Sequence, residues 1–371
     1  MQFIDLKTQQ SKIRENIEAR IKKVLDHGQY IMGPEVIELE EVLANDVGVK
    51  HCLSCSSGTD ALLILLMAKG IGPGDAVITT PFTYIATAEV ISLLGATPVF
   101  VDIYEKTYNI DALKIEKAIK ESKKKGLIPK VIIPVDLFGL PARYRIIKKV
   151  AAHYNLYLIE DAAQGYGGKI KSEKACSFGD AATTSFFPAK PLGCYGDGGA
   201  IFTNNNDLSE IIKSIRNHGA GLDKYDNIRD GINGRLDSIQ AGVLLEKFKI
   251  FKNEMELRQQ VASRYNKGIS KKYITPFIPN NYKTSWAQYC ILVPKNYKRS
   301  EVIKILKKKN IPTMIYYPVP LHLQKVYKNL GYKKGDFPIS EKISEKILAL
   351  PMHPYLKKEM QNIIIEELNN I

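Results

Sequence analysis

Lys190 stands in an unusual place for a lysine. It follows the apolar run Ala181-Ala-Thr-Thr-Ser185-Phe-Phe through a tight turn at Pro188 and Ala189, and the glycine-rich segment Gly193-Cys-Tyr-Gly-Asp-Gly-Gly199 comes next. Apolar surroundings lower a lysine pKa by desolvating the charge. A neutral amine is what a Schiff-base lysine needs. Taken alone, the residue also fits a lysine that lays its stem on a loop and keeps its amine in water. Asp161 is the second feature. It closes the apolar run Tyr157-Leu-Ile-Glu-Asp161 just before Ala162-Ala-Gln164. Ligands of open α/β sheets bind beyond the carboxyl ends of the strands, where a carboxylate can meet a cation. Acids at strand ends also cap helices. The third feature is Ser54-Cys-Ser-Ser57-Gly58-Thr59-Asp60, ahead of the apolar helix Ala61 to Ala68. Small residues at a helix N-terminus leave free N–H groups aligned with the helix dipole, which suits an anion. An ordinary N-cap by Ser57 or Thr59 explains the same residues.

Together the three features supply what pyridoxal phosphate requires: a phosphate cradle, an acid for the pyridine nitrogen and an amine for the Schiff base. An aromatic residue to stack on the ring is available in Pro81-Phe-Thr-Tyr84.

These residues need a scaffold of strands and helices. Apolar positions at helical spacing predict helices over Ile13–Leu25 and Val36–Val47, separated by Gly28–Pro34. From about residue 50 to 205, helical stretches alternate with β-rich runs at Ala76–Thr80, Thr97–Val101, Val131–Val135, Tyr157–Ile159, Thr183–Phe187 and Gly199–Thr203. That alternation predicts an α/β fold with a mostly parallel sheet covered on both faces. A polar stretch, His218–Gly234, precedes a long helix from Leu236 to about Ala262, with strands expected at Tyr289–Val293 and Thr313–Tyr317. The division follows as a large domain, 1–244, and a smaller α+β domain, 245–371, with the N-terminal segment free to pack on the small one.

The chain has 371 residues, 45% of them hydrophobic, enough for a large core. The longest apolar run, Ala61 to Ala68, is far short of a membrane span. The N-terminus lacks a signal-peptide pattern, so a cytoplasmic location is expected and no membrane partner. The five cysteines are odd in number and suggest no disulfide framework. Cys52 and Cys55 have no second pair at metal-site spacing, so no metal is expected. The net charge of +14 is spread over short lysine runs such as Lys123–Lys125 and Lys307–Lys309, which read as exposed helix ends. A DNA-binding regulator would use such charge, but no helix-turn-helix or zinc-finger spacing supports it, and no nucleic-acid partner is expected. A positive field also suits phosphorylated substrates.

The chain resembles the DegT/DnrJ/EryC1/StrS sugar aminotransferases from Phe3-Ile-Asp-Leu6 to Tyr316-Tyr-Pro318. The resemblance rests on Gln29-Tyr-Ile-Met-Gly-Pro-Glu35, Ser57-Gly-Thr-Asp-Ala61, Pro81-Phe-Thr-Tyr84, Glu160-Asp-Ala-Ala-Gln164, Ser185-Phe-Phe-Pro-Ala-Lys190 and Gly231-Ile-Asn-Gly-Arg-Leu-Asp237. It implies the aspartate-aminotransferase-like (type I) fold and pyridoxal 5'-phosphate, with pyridoxamine 5'-phosphate as intermediate. It makes Lys190 the Schiff-base lysine and proton carrier, Asp161 the partner of the ring nitrogen and Tyr84 the stacking residue. Gln164 would lie beside the ring, and Gly58, Thr59 and Ser185 would hold the phosphate. Asn233 would reach the phosphate in a neighbouring subunit, which implies a homodimer with shared active sites. Arg235 would meet a substrate anion at that interface.

Within the family, Gly193–Gly199, Trp286-Ala-Gln-Tyr289 and Tyr316-Tyr-Pro-Val-Pro-Leu-His322 are similar to the branch that aminates UDP-2-acetamido-2-deoxy-3-oxo-D-glucuronate for surface polysaccharides. Tyr316, Tyr317 and His322 become substrate contacts on this reading, and glutamate the amino donor. Asn217-His218 resembles a loop near the active site and is given no catalytic role. The other branches aminate dTDP-linked 3-oxo or UDP-linked 4-oxo sugars. Dehydratase relatives carry histidine in place of the lysine, and this chain has Lys190.

Overall fold

The computed structural model describes residues 1–223 and 225–371. Its centre is a seven-stranded sheet. The strands are β1 (His51–Cys55), β2 (Asp75–Thr79), β3 (Thr97–Phe100), β4 (Ile128–Ile132) and β5 (Tyr157–Asp161), then β8 (Ala181–Ser185) and β9 (Gly199–Thr203) after the short hairpin β6 (Lys169–Ile170) and β7 (Glu173–Lys174). Their order is β1-β9-β8-β5-β4-β2-β3. From β3 to β8 every neighbouring pair is parallel. Only β9 is reversed, running antiparallel to both β8 and β1. The carboxyl ends of the other six strands therefore share one edge.

The strands are apolar on both faces because both faces are covered. Alternate residues point opposite ways. Ala76, Ile78, Ile132, Leu158, Ala182 and Phe202 join one buried cluster, and Val77, Val131, Ile159, Ala181 and Ile201 join the other. The first cluster is closed by α2 (Pro34–Val47), α5 (Ile115–Lys124) and α6 (Tyr144–Tyr154), which follow α1 (Leu6–His27) in a chain whose other early helices are α3 (Gly58–Ala68) and α4 (Ala86–Leu93). The second is closed by α3, α4 and α7 (Asn206–Ile215). The expected α/β architecture with a mostly parallel sheet is present.

The long helix α8 (Ser238–Gly268) passes unbroken through residue 245. Its first half places Ala241, Leu244 and Phe251 in the large core, and its second half places Val261, Ala262 and Tyr265 in a separate core. That second core includes β11 (Tyr289–Leu292) and β12 (Ile347–Leu350), an antiparallel pair, with α9 (Arg299–Lys308) and α11 (Lys358–Asn370). The remaining strand is β10 (Tyr282–Lys283), beside β6, and the remaining α-helix is α10 (Pro338–Lys346); short 3-10 turns lie at Leu137–Gly139, Leu321–Leu323 and Lys325–Leu330.

Two strand expectations need correction. Thr313–Tyr317 is not a strand: between Pro312 and Pro318 only Met314 pairs, in a single bridge to Ala349. The fourth strand of the sheet starts at Ile128 and its regular pairing stops before Pro134, which has no N–H to donate. All five cysteines are buried and free. Among the described residues no helix is long and apolar enough to cross a membrane.

Candidate active site

A cavity of about 430 Å³ opens at the shared edge of the parallel strands. Its walls include Gly58, Thr59, Tyr84, Asp161, Gln164, Ser185, Lys190, Tyr316 and Tyr317. Residues as far apart in sequence as Gly58 and Lys190 meet there because β1, β2, β5 and β8 all end on that side. Three surface clefts are larger, about 590, 790 and 830 Å³, but they lie between α8 and the C-terminal helix, at the amino ends of β4 and β5, and along the β3 edge, and none contains Lys190 or Asp161.

Asp161 ends β5 and is 3% exposed. Its Oδ2 accepts from the Thr87 hydroxyl at 2.8 Å, and its Oδ1 from the Ala163 amide at 3.1 Å. Burial pushes the carboxyl above its ordinary value, and the two hydrogen bonds and the Lys190 charge pull the other way. The acid is oriented by two donors and still lacks a full counter-charge. A cation delivered into the cavity would supply one.

Lys190 follows β8 through a turn closed by its amide, which donates to the Phe187 carbonyl at 2.8 Å. Burial pushes its amine down to about 8, and the Asp161 carboxylate only partly offsets this. Near neutral pH an appreciable share of the amine is therefore unprotonated and nucleophilic.

The anion cradle is built where α3 meets the end of β8. The Ser57 hydroxyl caps α3 by accepting from the Asp60 amide at 3.0 Å. That leaves the Gly58 and Thr59 amides, in the first turn, with no partner inside the helix. A Cβ on Gly58 would lie 2.7 Å from the Ser185 Cβ, so only glycine allows this approach. Free amides, two hydroxyls and the helix dipole thus converge, a donor set that fits a phosphate.

Gln164 is held at both ends of its amide. Its Oε1 accepts from the Phe138 amide at 2.7 Å, and its Nε2 donates to the Tyr317 hydroxyl at 3.0 Å. The Tyr317 ring packs edge-on against Phe82 at 6.0 Å and Tyr316 at 5.9 Å. Tyr84 is 59% exposed at the cavity mouth, so a face of its ring is available for stacking. A planar ring with a phosphate, a basic nitrogen and an electrophilic carbon fits this set of groups.

Three expected site residues are not brought to this cavity. Asn233 and Arg235 lie on the loop after α7, where the Arg235 guanidinium donates to the Asn233 and Asn217 carbonyl oxygens. His322 is buried, with Nε2 3.0 Å from Glu341 Oε1 and its ring 4.7 Å from Phe337, so it serves packing between β3 and α10 rather than the cavity. His218 has its backbone in the left-handed region at φ 58° and is exposed. Sequence reasoning missed Thr87, Phe3, Ile4, Asp197 and Gln288, all of which line the cavity. The glycine-rich segment around Asp197 and the Trp286–Tyr289 motif were visible signals for two of them. Phe3 and Ile4 open the stretch of family resemblance, but nothing there marked them for the cavity, which they reach by tertiary packing.

The sequence model of the DegT/DnrJ/EryC1/StrS aminotransferase family matches residues 11–369. The chain is 47% identical over 371 residues, all of both chains, to the UDP-2-acetamido-2-deoxy-3-oxo-D-glucuronate aminotransferase of Pseudomonas aeruginosa. It superposes with TM-score 0.96 and 48% identity on a DegT DnrJ EryC1 StrS aminotransferase from Brucella abortus, covering 100% of this chain and 99% of that one. It also superposes with TM-score 0.90 and 29% identity on NtdA from Bacillus subtilis with bound cofactor PMP, covering 99% and 82%.

Proposed function

Because the chain belongs to the DegT/DnrJ/EryC1/StrS aminotransferase family, we propose that it is a pyridoxal-phosphate enzyme that moves an amino group from glutamate to an oxo-sugar nucleotide. The observation that carries this reading is the meeting of Lys190, Asp161 and the Gly58 cradle in one cavity. The substrate we assign is UDP-2-acetamido-2-deoxy-3-oxo-D-glucuronate. Its support is the full-length identity to the Pseudomonas aeruginosa enzyme of that name. A net charge of +14 suits a substrate with a diphosphate and a carboxylate.

When bound, the cofactor supplies an electron sink that lets an amino acid lose its Cα proton and give up its nitrogen. The Gly58 and Thr59 amides, with the Thr59 and Ser185 hydroxyls, hold its phosphate. The Asp161 carboxylate keeps the ring nitrogen protonated, and Thr87 and Ala163 keep that carboxylate aimed. Tyr84 covers one face of the ring. Gln164 is locked by Phe138 and Tyr317 and sets the position of the ring edge. Lys190 would hold the cofactor through Nζ, and its amine, when free, would accept and return the proton of the amino donor at that nitrogen. An amine pushed down to about 8 can both accept and return a proton near neutral pH.

Asn233 and Arg235 then serve the site of a second copy, in a homodimer. Two observations support this: both lie outside their own cavity, and Leu222 and Tyr225 on the same loop are 104% and 87% exposed. Both substrate and partner assignments are tested together. Holoenzyme is first bleached with glutamate, then offered a panel of 3-oxo and 4-oxo sugar nucleotides while the visible band is followed. Return of the band with the UDP-3-oxo-glucuronate supports the reading. Return only with a 4-oxo sugar overturns the substrate, and no bleaching by glutamate overturns the donor. Sedimentation of the same sample as a monomer overturns the shared site.

A further inference from the structure

Lys247, in the first half of α8, is the one lysine among the described residues that folding almost wholly removes from water, with 1% of its surface exposed. The proposed reaction does not use it. Its Nζ donates to the Gly193 carbonyl at 2.6 Å and lies 4.2 Å from the centre of the Tyr195 ring. These partners are a carbonyl and a π face, not a carboxylate. An ammonium buried this way is costly, and burial pushes this one down to about 8.

The ammonium grips the turn that carries Lys190. Gly193 is packed against the backbone just before that lysine: a Cβ there would stand 2.5 Å from the Phe187 carbonyl oxygen and 2.7 Å from that of Pro188. The Lys190 amide donates to the same Phe187 carbonyl, and the Cys194 amide donates to the Phe186 carbonyl at 2.8 Å. Residues 186–194 therefore form one closed loop. On its far side it is tied to α8 by Lys247 and by the Tyr195 amide, which donates to Gln240 Oε1 at 2.8 Å.

We propose that Lys247 is a positioning residue for Lys190: by holding Gly193 and Tyr195 from α8, it sets how the Lys190 side chain enters the cavity. The proposal rests on Lys190 being the cofactor lysine. It acts through the backbone, since the field on the Lys190 amine comes from burial and Asp161. A neutral, unbranched side chain one atom shorter, in Lys247→Met, leaves the Gly193 carbonyl without its donor.

The test uses Lys247→Met, Tyr195→Leu and Tyr195→Phe beside Lys190→Ala. Two readouts are taken: borohydride trapping with peptide mass analysis of the lysine–cofactor bond, and pH titration of the visible band of the holoenzyme. Loss of a charged hydrogen bond predicts that Lys247→Met holds the cofactor but forms the covalent bond with a roughly tenfold or larger drop in equilibrium constant. Its band should titrate at a shifted midpoint. Tyr195→Phe keeps the ring, and its lost hydroxyl has no hydrogen-bond partner, so its titration should match wild type. Tyr195→Leu should shift in the direction of Lys247→Met. A Lys247→Met protein with wild-type trapping and titration overturns the proposal. If that variant does not fold, identical titrations for Tyr195→Phe and Tyr195→Leu overturn it instead. A covalent bond that survives Lys190→Ala overturns the reading of Lys190 itself, which the other variants leave separate.

Discussion

Replacing Lys190 by methionine should stabilise the cofactor-free fold at pH 7. In the unfolded chain the amine keeps its ordinary value of 10.5, and in the fold burial pushes it down to about 8. Between these values the unfolded chain holds a proton that the fold has released, so stability rises with pH across that window. Below about pH 8 the fold bears the whole cost of a desolvated ammonium. At ~1.36 kcal/mol per pH unit, the interval amounts to about 3 kcal/mol. Two effects reduce it. The residue is half-buried, so solvent screens part of the cost. The variant also takes a cation from Asp161, whose carboxyl burial already pushes up. A gain of roughly 1–3 kcal/mol at pH 7 remains, and it should fade as pH approaches 10.5. Urea denaturation of cofactor-stripped protein at pH 7 and pH 10 measures both values. A variant no more stable than wild type at pH 7, or a gain that does not shrink at pH 10, would refute the reasoning. With cofactor present the order should reverse, because only the lysine can bond to it.

Other substitutions probe the remaining walls. Gly58→Ala drives a Cβ into Ser185 and should weaken cofactor binding roughly tenfold or more in equilibrium dialysis; unchanged binding would remove the cradle from the account. Asp161→Asn keeps the size of the side chain but loses its charge. The half-reaction with glutamate, followed by stopped-flow absorbance, should slow by roughly 100-fold or more. His322→Gln disturbs a buried hydrogen bond to Glu341 and should cost about 1–3 kcal/mol in thermal unfolding. The KM for the sugar nucleotide should not move, and a large rise in KM would return His322 to the substrate site.

The groups proposed to do chemistry were easier to read than the walls around them. Asp161 ends an apolar β-rich run, Lys190 follows the next one through a short turn, and the parallel order of β5 and β8 brings the two together. Gly58 was legible because a helix N-terminus announces itself through small residues and a following apolar face. Thr313–Tyr317 misled because its Ile315, Tyr316 and Tyr317 have strong β propensity, while the prolines at 312 and 318 flank it and it makes one bridge only. His322 misled through its place next to Tyr317. Five residues of chain carry it away from the cavity and into a pocket of Phe337 and Glu341. β1, with its polar His51 and Ser54, gave no alternation to detect, and the sheet claims it by pairing all five residues with β9. Phe3 and Ile4 reach the cavity through long-range packing, Phe3 lying 6.4 Å from the Tyr316 ring, which no local pattern encodes.

The proposed aminotransfer to an oxo-sugar runs through Lys190. The most direct measurement follows isotopically labelled nitrogen from glutamate into UDP-2-acetamido-2-deoxy-3-oxo-D-glucuronate by mass spectrometry, for wild type and for Lys190→Ala. The account predicts labelled amino-sugar nucleotide from the wild type and none from the variant. Label transferred equally by both proteins, or no label transferred to any oxo-sugar nucleotide by the wild type, would contradict it.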